Sequence, residues 1–133
     1  MMMRYPSKRT ILAMAAFTAV AAAALIPVIA DPGPGAREIV LEARQMTFYL
    51  EGSDVPNPTL VVEPGEEIRV VVRNQEPGVT HAFGIAALGA SVDRIEPGST
   101  ARLSFRAPFE PGRHEYVCPP HAQMMRGVLL VTK

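Results

Sequence analysis

Tyr116-Val117-Cys118-Pro119-Pro120-His121-Ala122-Gln123-Met124-Met125-Arg126-Gly127 is the stretch on which the reading of this chain turns. A thiol, an imidazole and two thioethers fall within eight residues, with no carboxylate among them. Pro119 and Pro120 stiffen the segment and cannot donate to a β-ladder. On the N-terminal side, His114, Tyr116 and Cys118 alternate with Arg113, Glu115 and Val117; on the C-terminal side, residues 128–131 form a short apolar run. The segment therefore reads as a tight loop joining two strands. Taken singly, its members are unremarkable: a lone cysteine is usually a small buried hydrophobe, and methionines fill gaps in cores. Jointly, the spacing Cys-x2-His-x3-Met at a strand junction points to a soft metal ion, copper far better than magnesium or calcium.

A mononuclear copper site of this kind needs two imidazoles, one thiolate and a weak axial thioether. Only His81 and His114 remain as sources of the second imidazole. His114 lies four residues before Cys118 on one strand, about 13 Å away at the usual rise. His81, at the head of the run His81-Ala82-Phe83-Gly84-Ile85, is therefore the expected ligand, and His114 is expected in or near the core. A Cys–His catalytic dyad fits less well, because nothing in the sequence marks a substrate cleft or an oxyanion hole. No catalytic residue is assigned.

Outward from the loop, the same period-two texture fills the chain. Ile68, Val70 and Val72 alternate with Arg69, Val71 and Arg73, and Ala101, Leu103 and Phe105 with Arg102, Ser104 and Arg106. Ile39, Leu41 and Ala43 alternate too, and Met46, Phe48 and Leu50 continue in the opposite phase, which reads as one strand with a β-bulge near Arg44-Gln45. Breaks fall at Pro56-Asn57-Pro58, Glu63-Pro64-Gly65-Glu66, Glu96-Pro97-Gly98-Ser99 and Phe109-Glu110-Pro111-Gly112. Seven to eight short strands at regular spacing, with no convincing helix, predict an all-β Greek-key sandwich or small barrel.

The N-terminus is different in kind. Arg4, Lys8 and Arg9 precede a charge-free apolar run over residues 11–30 ending in Val28-Ile29-Ala30, the pattern of a signal peptide or an N-terminal membrane anchor. The expected organisation is a targeting segment at 1–30, a Pro/Gly linker at 31–36 and one domain at 37–133, exported to the periplasm or another extracytoplasmic space. The formal charge of zero is then a cancellation: removing the three N-terminal cations leaves ten basic and thirteen acidic residues, a net charge of −3. That excludes a strongly basic nucleic-acid binder. The single cysteine excludes an internal disulfide and any two-thiolate site.

At Pro111-Gly112-x-x-x-Tyr116-x-Cys118-x-Pro120-His121, followed by Met125-Arg126-Gly127, the chain resembles the cupredoxins of the plastocyanin, amicyanin and pseudoazurin kind. The resemblance covers about residues 37–133. It implies one type 1 copper per chain, held by His81, Cys118 and His121 with an axial methionine. Gly127, a small residue opening the last strand, points to Met125 for that role, with Met124 as the alternative. It further implies a carrier of single electrons between redox proteins such as a c-type cytochrome or a membrane oxidoreductase. Topology alone suggests that Pro119, Pro120, Ala122 and residues 86–88 form a small apolar docking patch, and a monomer is expected. A copper-binding or delivery protein is the alternative. Two departures stand out. Ala82 occupies a place where the family often has an Asn that ties the ligand segments together, so another group, such as Thr80, is expected to take over. His114 stands where Tyr is frequent. Thr80-His81-Ala82-Phe83, with Asp93, Ile95, Pro97, Gly98 and Thr100, also resembles the dinuclear copper domain of cytochrome oxidase subunit II and nitrous oxide reductase, but that centre needs two cysteines and this chain has one.

Overall fold

The computed structural model describes residues 35–133. The targeting segment read at 1–30 and most of the linker at 31–36 lie outside them. Nine strands follow in order: β1 Arg37–Arg44, β2 Thr47–Leu50, β3 Leu60–Val62, β4 Glu67–Asn74, β5 His81–Ile85, β6 Ala90–Ile95, β7 Thr100–Arg106, β8 Gly112–Val117 and β9 Arg126–Val131. The only helical pieces among the described residues are two 3-10 turns, Ala86–Leu88 and Pro119–His121. No helix in this part is long and apolar enough to cross a membrane.

The strands form two sheets, β2-β1-β4-β7 and β3-β9-β8-β5-β6. Most neighbours are antiparallel, but β1 runs parallel to β4 and β3 parallel to β9, which takes crossovers between the sheets rather than hairpins. The inner faces follow the alternation in the sequence. Ile39, Leu41 and Ala43 of β1 and Ile68, Val70 and Val72 of β4 are buried, facing Leu60, Val62, Phe83, Ile85, Ile95, Tyr116, Leu129 and Val131 of the other sheet. Each buried Val, Leu, Ile or Phe side chain among them contributes about 1.5–3 kcal/mol by leaving water. At the centre, Phe83 stacks on Tyr116 with centroids 5.5 Å apart, and Phe48 meets both rings edge-on.

Two expectations change. The phase reversal near Arg44-Gln45 is a chain reversal and not a bulge. Gln45 and Met46 both take positive φ, 53° and 55°, closing a two-residue hairpin that pairs β1 with β2 from Arg44↔Thr47 to Leu41↔Leu50. Both residues pay a left-handed backbone cost that glycine or asparagine would avoid, so the turn carries no composition signal. The strand count rises to nine for that reason and because β6 exists. In β6 Ala90 and Val92 alternate with exposed Ser91 and Asp93, but Arg94 breaks the phase before Ile95, its one buried residue, so the run is too short to stand out as the other strands do. The register shift that the structure does contain lies between His81 and Phe83, at the root of the predicted site.

Candidate metal centre

Two segments build the site. The first is the head of β5, buried over its whole length, which places His81 in the interior with only 1% of its surface exposed. The second is the loop between β8 and β9. Cys118 follows β8 in extended backbone, and Pro119-Pro120 lead a single 3-10 turn whose first bond runs from the His121 amide to the Cys118 carbonyl (2.9 Å). The Met124 and Met125 amides both donate back to the His121 carbonyl, and the Cys118 amide donates to the Met125 carbonyl (2.9 Å), so the loop closes on itself.

The result brings together three of the residues singled out in the sequence. Nδ1 of His121 lies 3.4 Å and Nδ1 of His81 3.9 Å from Cys118 Sγ. The ligand atoms of His81, Cys118 and His121 all fall within 4.8 Å of one another. The imidazoles meet edge to face, centroids 5.1 Å apart. The Ala82 amide donates to Cys118 Sγ at 3.3 Å, a backbone tie between the two ligand-bearing segments. Burial pushes the Cys118 thiol up from its ordinary value, against the lowering effect of the Ala82 and His121 amides. Without a cation the buried sulfur therefore favours its proton, and a metal entering here must displace it. One thiolate and two imidazoles, pre-gathered on stiff backbone, fit a soft ion such as copper and offer nothing to a hard one.

The methionines separate sharply. Met125 is wholly buried in the core, whereas Met124 is 53% exposed. His114 is half-buried on β8 opposite Leu129, outside the cluster, and its Nε2 is buried without a hydrogen-bond partner. Thr80 does not take the tying role expected of it; its hydroxyl pairs with Glu96 (3.0 Å). The bond across the segments comes from the Ala82 backbone N–H, which any residue but proline could supply at that position.

Three supporting residues were not singled out in the sequence. Glu76 Oε2 lies 3.0 Å from His81 Nε2. Buried Asn74 donates to the Val79 and Ile95 carbonyls and accepts from the Glu76 amide, fixing the loop before His81. Asn57 accepts from the Phe48 amide and donates to the Met124 carbonyl (2.8 Å), hanging the ligand loop on β2. Only Asn57 carried a sequence signal, its place between two prolines; in the structure it takes a positive φ, which asparagine tolerates better than most residues. Tyr116 and Gly127 complete the support. They are register partners on β8 and β9; the Tyr116 ring lies where a Cβ on residue 127 would stand, and its hydroxyl donates to the Pro58 carbonyl (2.6 Å).

Residues 10–131 match the model of the Cupredoxin-like domain. No curated protein matches the chain in sequence. Among solved structures, the chain is similar to dithionite-reduced auracyanin of Roseiflexus castenholzii, at 20% identity and a TM-score of 0.59, covering 74% of this chain and 100% of that one. It is similar to rusticyanin of Thiobacillus ferrooxidans, at 20% identity and a TM-score of 0.61, covering 74% and 78%. It is also similar to the metal-binding domain, with Cu(I), of a Cu(I)-exporting P-type ATPase of Streptococcus pneumoniae, at 18% identity and a TM-score of 0.57, covering 75% and 89%. At these identities the likeness is one of fold.

Proposed function

The chain belongs to the cupredoxin-like family, and we propose that it is an exported type 1 copper protein that carries single electrons between redox partners. The observation that carries this reading is the convergence of His81 Nδ1, Cys118 Sγ and His121 Nδ1 within 4.8 Å. Copper bound there would supply a one-electron Cu(II)/Cu(I) couple, which two imidazoles and a thiolate suit in both states. His81, Cys118 and His121 would be the strong ligands, and buried Met125 would supply the weak thioether. What the chain adds is rigidity. The two prolines, the closed loop and the Ala82 amide on Sγ hold the donors in place whatever the charge at the centre, so little has to move on electron transfer.

His121 is half-buried, and Pro119 and Pro120 beside it are exposed, as are Ala86 and Ala87 of the other 3-10 turn. We assign the loop around His121 as the face that meets a redox protein, such as a c-type cytochrome or a membrane oxidoreductase, in a small transient contact. The chain acts as a monomer in this reading. The basic and apolar N-terminus supports export to the periplasm, with a membrane attachment only if that segment is retained.

One observation favours a second reading. Met124 is an exposed thioether next to the site, on a shallow surface with His121 and Gln123, which suits a protein that passes Cu(I) on. Copper titration of the purified chain separates the two. The carrier should take up one Cu(II) per chain with an intense visible thiolate-to-copper band, lost in Cys118→Ser, and give a reversible one-electron wave. A colourless complex that releases Cu(I) to an acceptor would overturn electron transfer in favour of delivery.

A further inference from the structure

We propose that Glu76 is a positioning residue for the metal centre, which fixes the His81 ring through its outer nitrogen and biases a bound copper toward its oxidised state. The inference rests on the electron-carrier reading and names a residue that tunes it.

The geometry is over-determined. Nδ1 of His81 faces the Cys118 sulfur, so the proton of the neutral ring belongs on Nε2, which donates to Glu76 Oε2 at 3.0 Å. The same oxygen accepts the Met46 amide at 2.9 Å. The Glu76 backbone amide donates to Asn74 Oδ1 (2.9 Å), and Asn74 is itself fixed by the Val79 and Ile95 carbonyls. The carboxylate is thus anchored from the β1–β2 hairpin on one side and the β4–β5 loop on the other, independently of the imidazole it holds. The His81 side chain is fully buried and that of Glu76 only 15% exposed, so water screens the pair weakly. Among the described residues His121 has no carboxylate partner, so the arrangement distinguishes one imidazole from the other.

The charge argument follows from position. Reduction removes one positive charge from the centre. A fixed negative charge one imidazole away stabilises the more positive, oxidised state and lowers the potential. A neutral acceptor of the same shape would keep the hydrogen bonds and lose this bias.

Glu76→Gln isolates the charge, since the amide oxygen can still accept from His81 and Met46. At a fixed redox poise, the Cu(II)/Cu(I) ratio should fall about tenfold relative to the parent chain, a rise in midpoint of 59 mV for a one-electron couple. The visible band should stay in place. An unchanged or lower midpoint would overturn the proposal. A second measurement on the parent chain does not depend on the variant folding. In NMR of the metal-free and Cu(I)-loaded protein, the His81 Nε2 proton should exchange slowly with water and show a cross-peak to the Met46 amide. Fast exchange with no cross-peak would overturn the positioning role. A parent chain with no blue band and no one-electron wave would refute the carrier reading instead, and the Nε2 proton would still decide the hydrogen bond.

Discussion

His81 and His121 present the same ring atom to the same sulfur from opposite kinds of ground. His81 stands at the head of a strand with no exposed residue, its outer nitrogen held by Glu76. His121 closes a single 3-10 turn, half-buried, between exposed prolines and an exposed Gln123. The inner wall of the site is part of the sandwich core. The outer wall is a short loop, closed by its own amides and hung on the core at Tyr116, Gly127 and Asn57. The contrast teaches that rigidity and access are supplied by different parts of the fold. A carrier needs both, because the donors must not rearrange while one edge of the site comes close to a partner.

The largest effect should come from removing each imidazole in turn. His81→Gly and His121→Gly should both lose the intense visible band. Added free imidazole should restore it in His121→Gly, where the gap opens toward solvent. In His81→Gly the gap lies inside the core and leaves the Glu76 carboxylate with only the Met46 amide of its two donors, so rescue should fail. Stability should also fall by about 3 kcal/mol, as for a large-to-small change in a packed interior. Absorption titrations with imidazole and a thermal melt check both halves. Equal rescue of the two variants would break the comparison.

Much of this was legible in the sequence. Alternation at Ile39, Leu41 and Ala43 and at Ile68, Val70 and Val72 marks strands with one buried face, because a one-residue slip would put every apolar side chain in water. The approach of Cys118 to His121 was legible because the two are close in sequence and the prolines between them stiffen the loop. Other features were hidden for physical reasons. The Gln45-Met46 turn uses residues that do not advertise a left-handed backbone. In β6 the alternation of Ala90 and Val92 with Ser91 and Asp93 is short, and Arg94 breaks it before buried Ile95. Glu76 serves His81 and Met46, the latter 30 residues away, and only the folded topology brings those groups to one point.

A smaller effect tests how the outer wall is hung. In Gly127→Ala the new methyl group would occupy the place of the Tyr116 ring. That ring cannot swing away, since it packs on Phe83 and Phe48 and its hydroxyl is tied to Pro58. Overpacking of this kind costs about 1–3 kcal/mol, which in a domain of this size lowers Tm by roughly 5–20 °C. Cys118 lies two residues beyond Tyr116, so the visible band of the copper form should shift as well. A melt unchanged from the parent chain would show that the β8–β9 register can yield, and that the loop is held chiefly by its own hydrogen bonds.

The smallest effect lies within the loop, between two adjacent methionines. Met125 is wholly buried and Met124 is half in water. Met→Leu nearly conserves volume and should cost less than about 1.5 kcal/mol at either position, so any spectral change reports the sulfur and not the packing. Met125→Leu should move the visible band and raise the potential, because an axial thioether is a weak ligand whose loss alters the electronics without dismantling the site. Met124→Leu should leave both unchanged. The reverse outcome would mean that the exposed sulfur is the one the metal uses. The outer wall would then supply a ligand as well as access, and a site that binds through a solvent-facing thioether is better built to hand copper over than to keep it through repeated cycles.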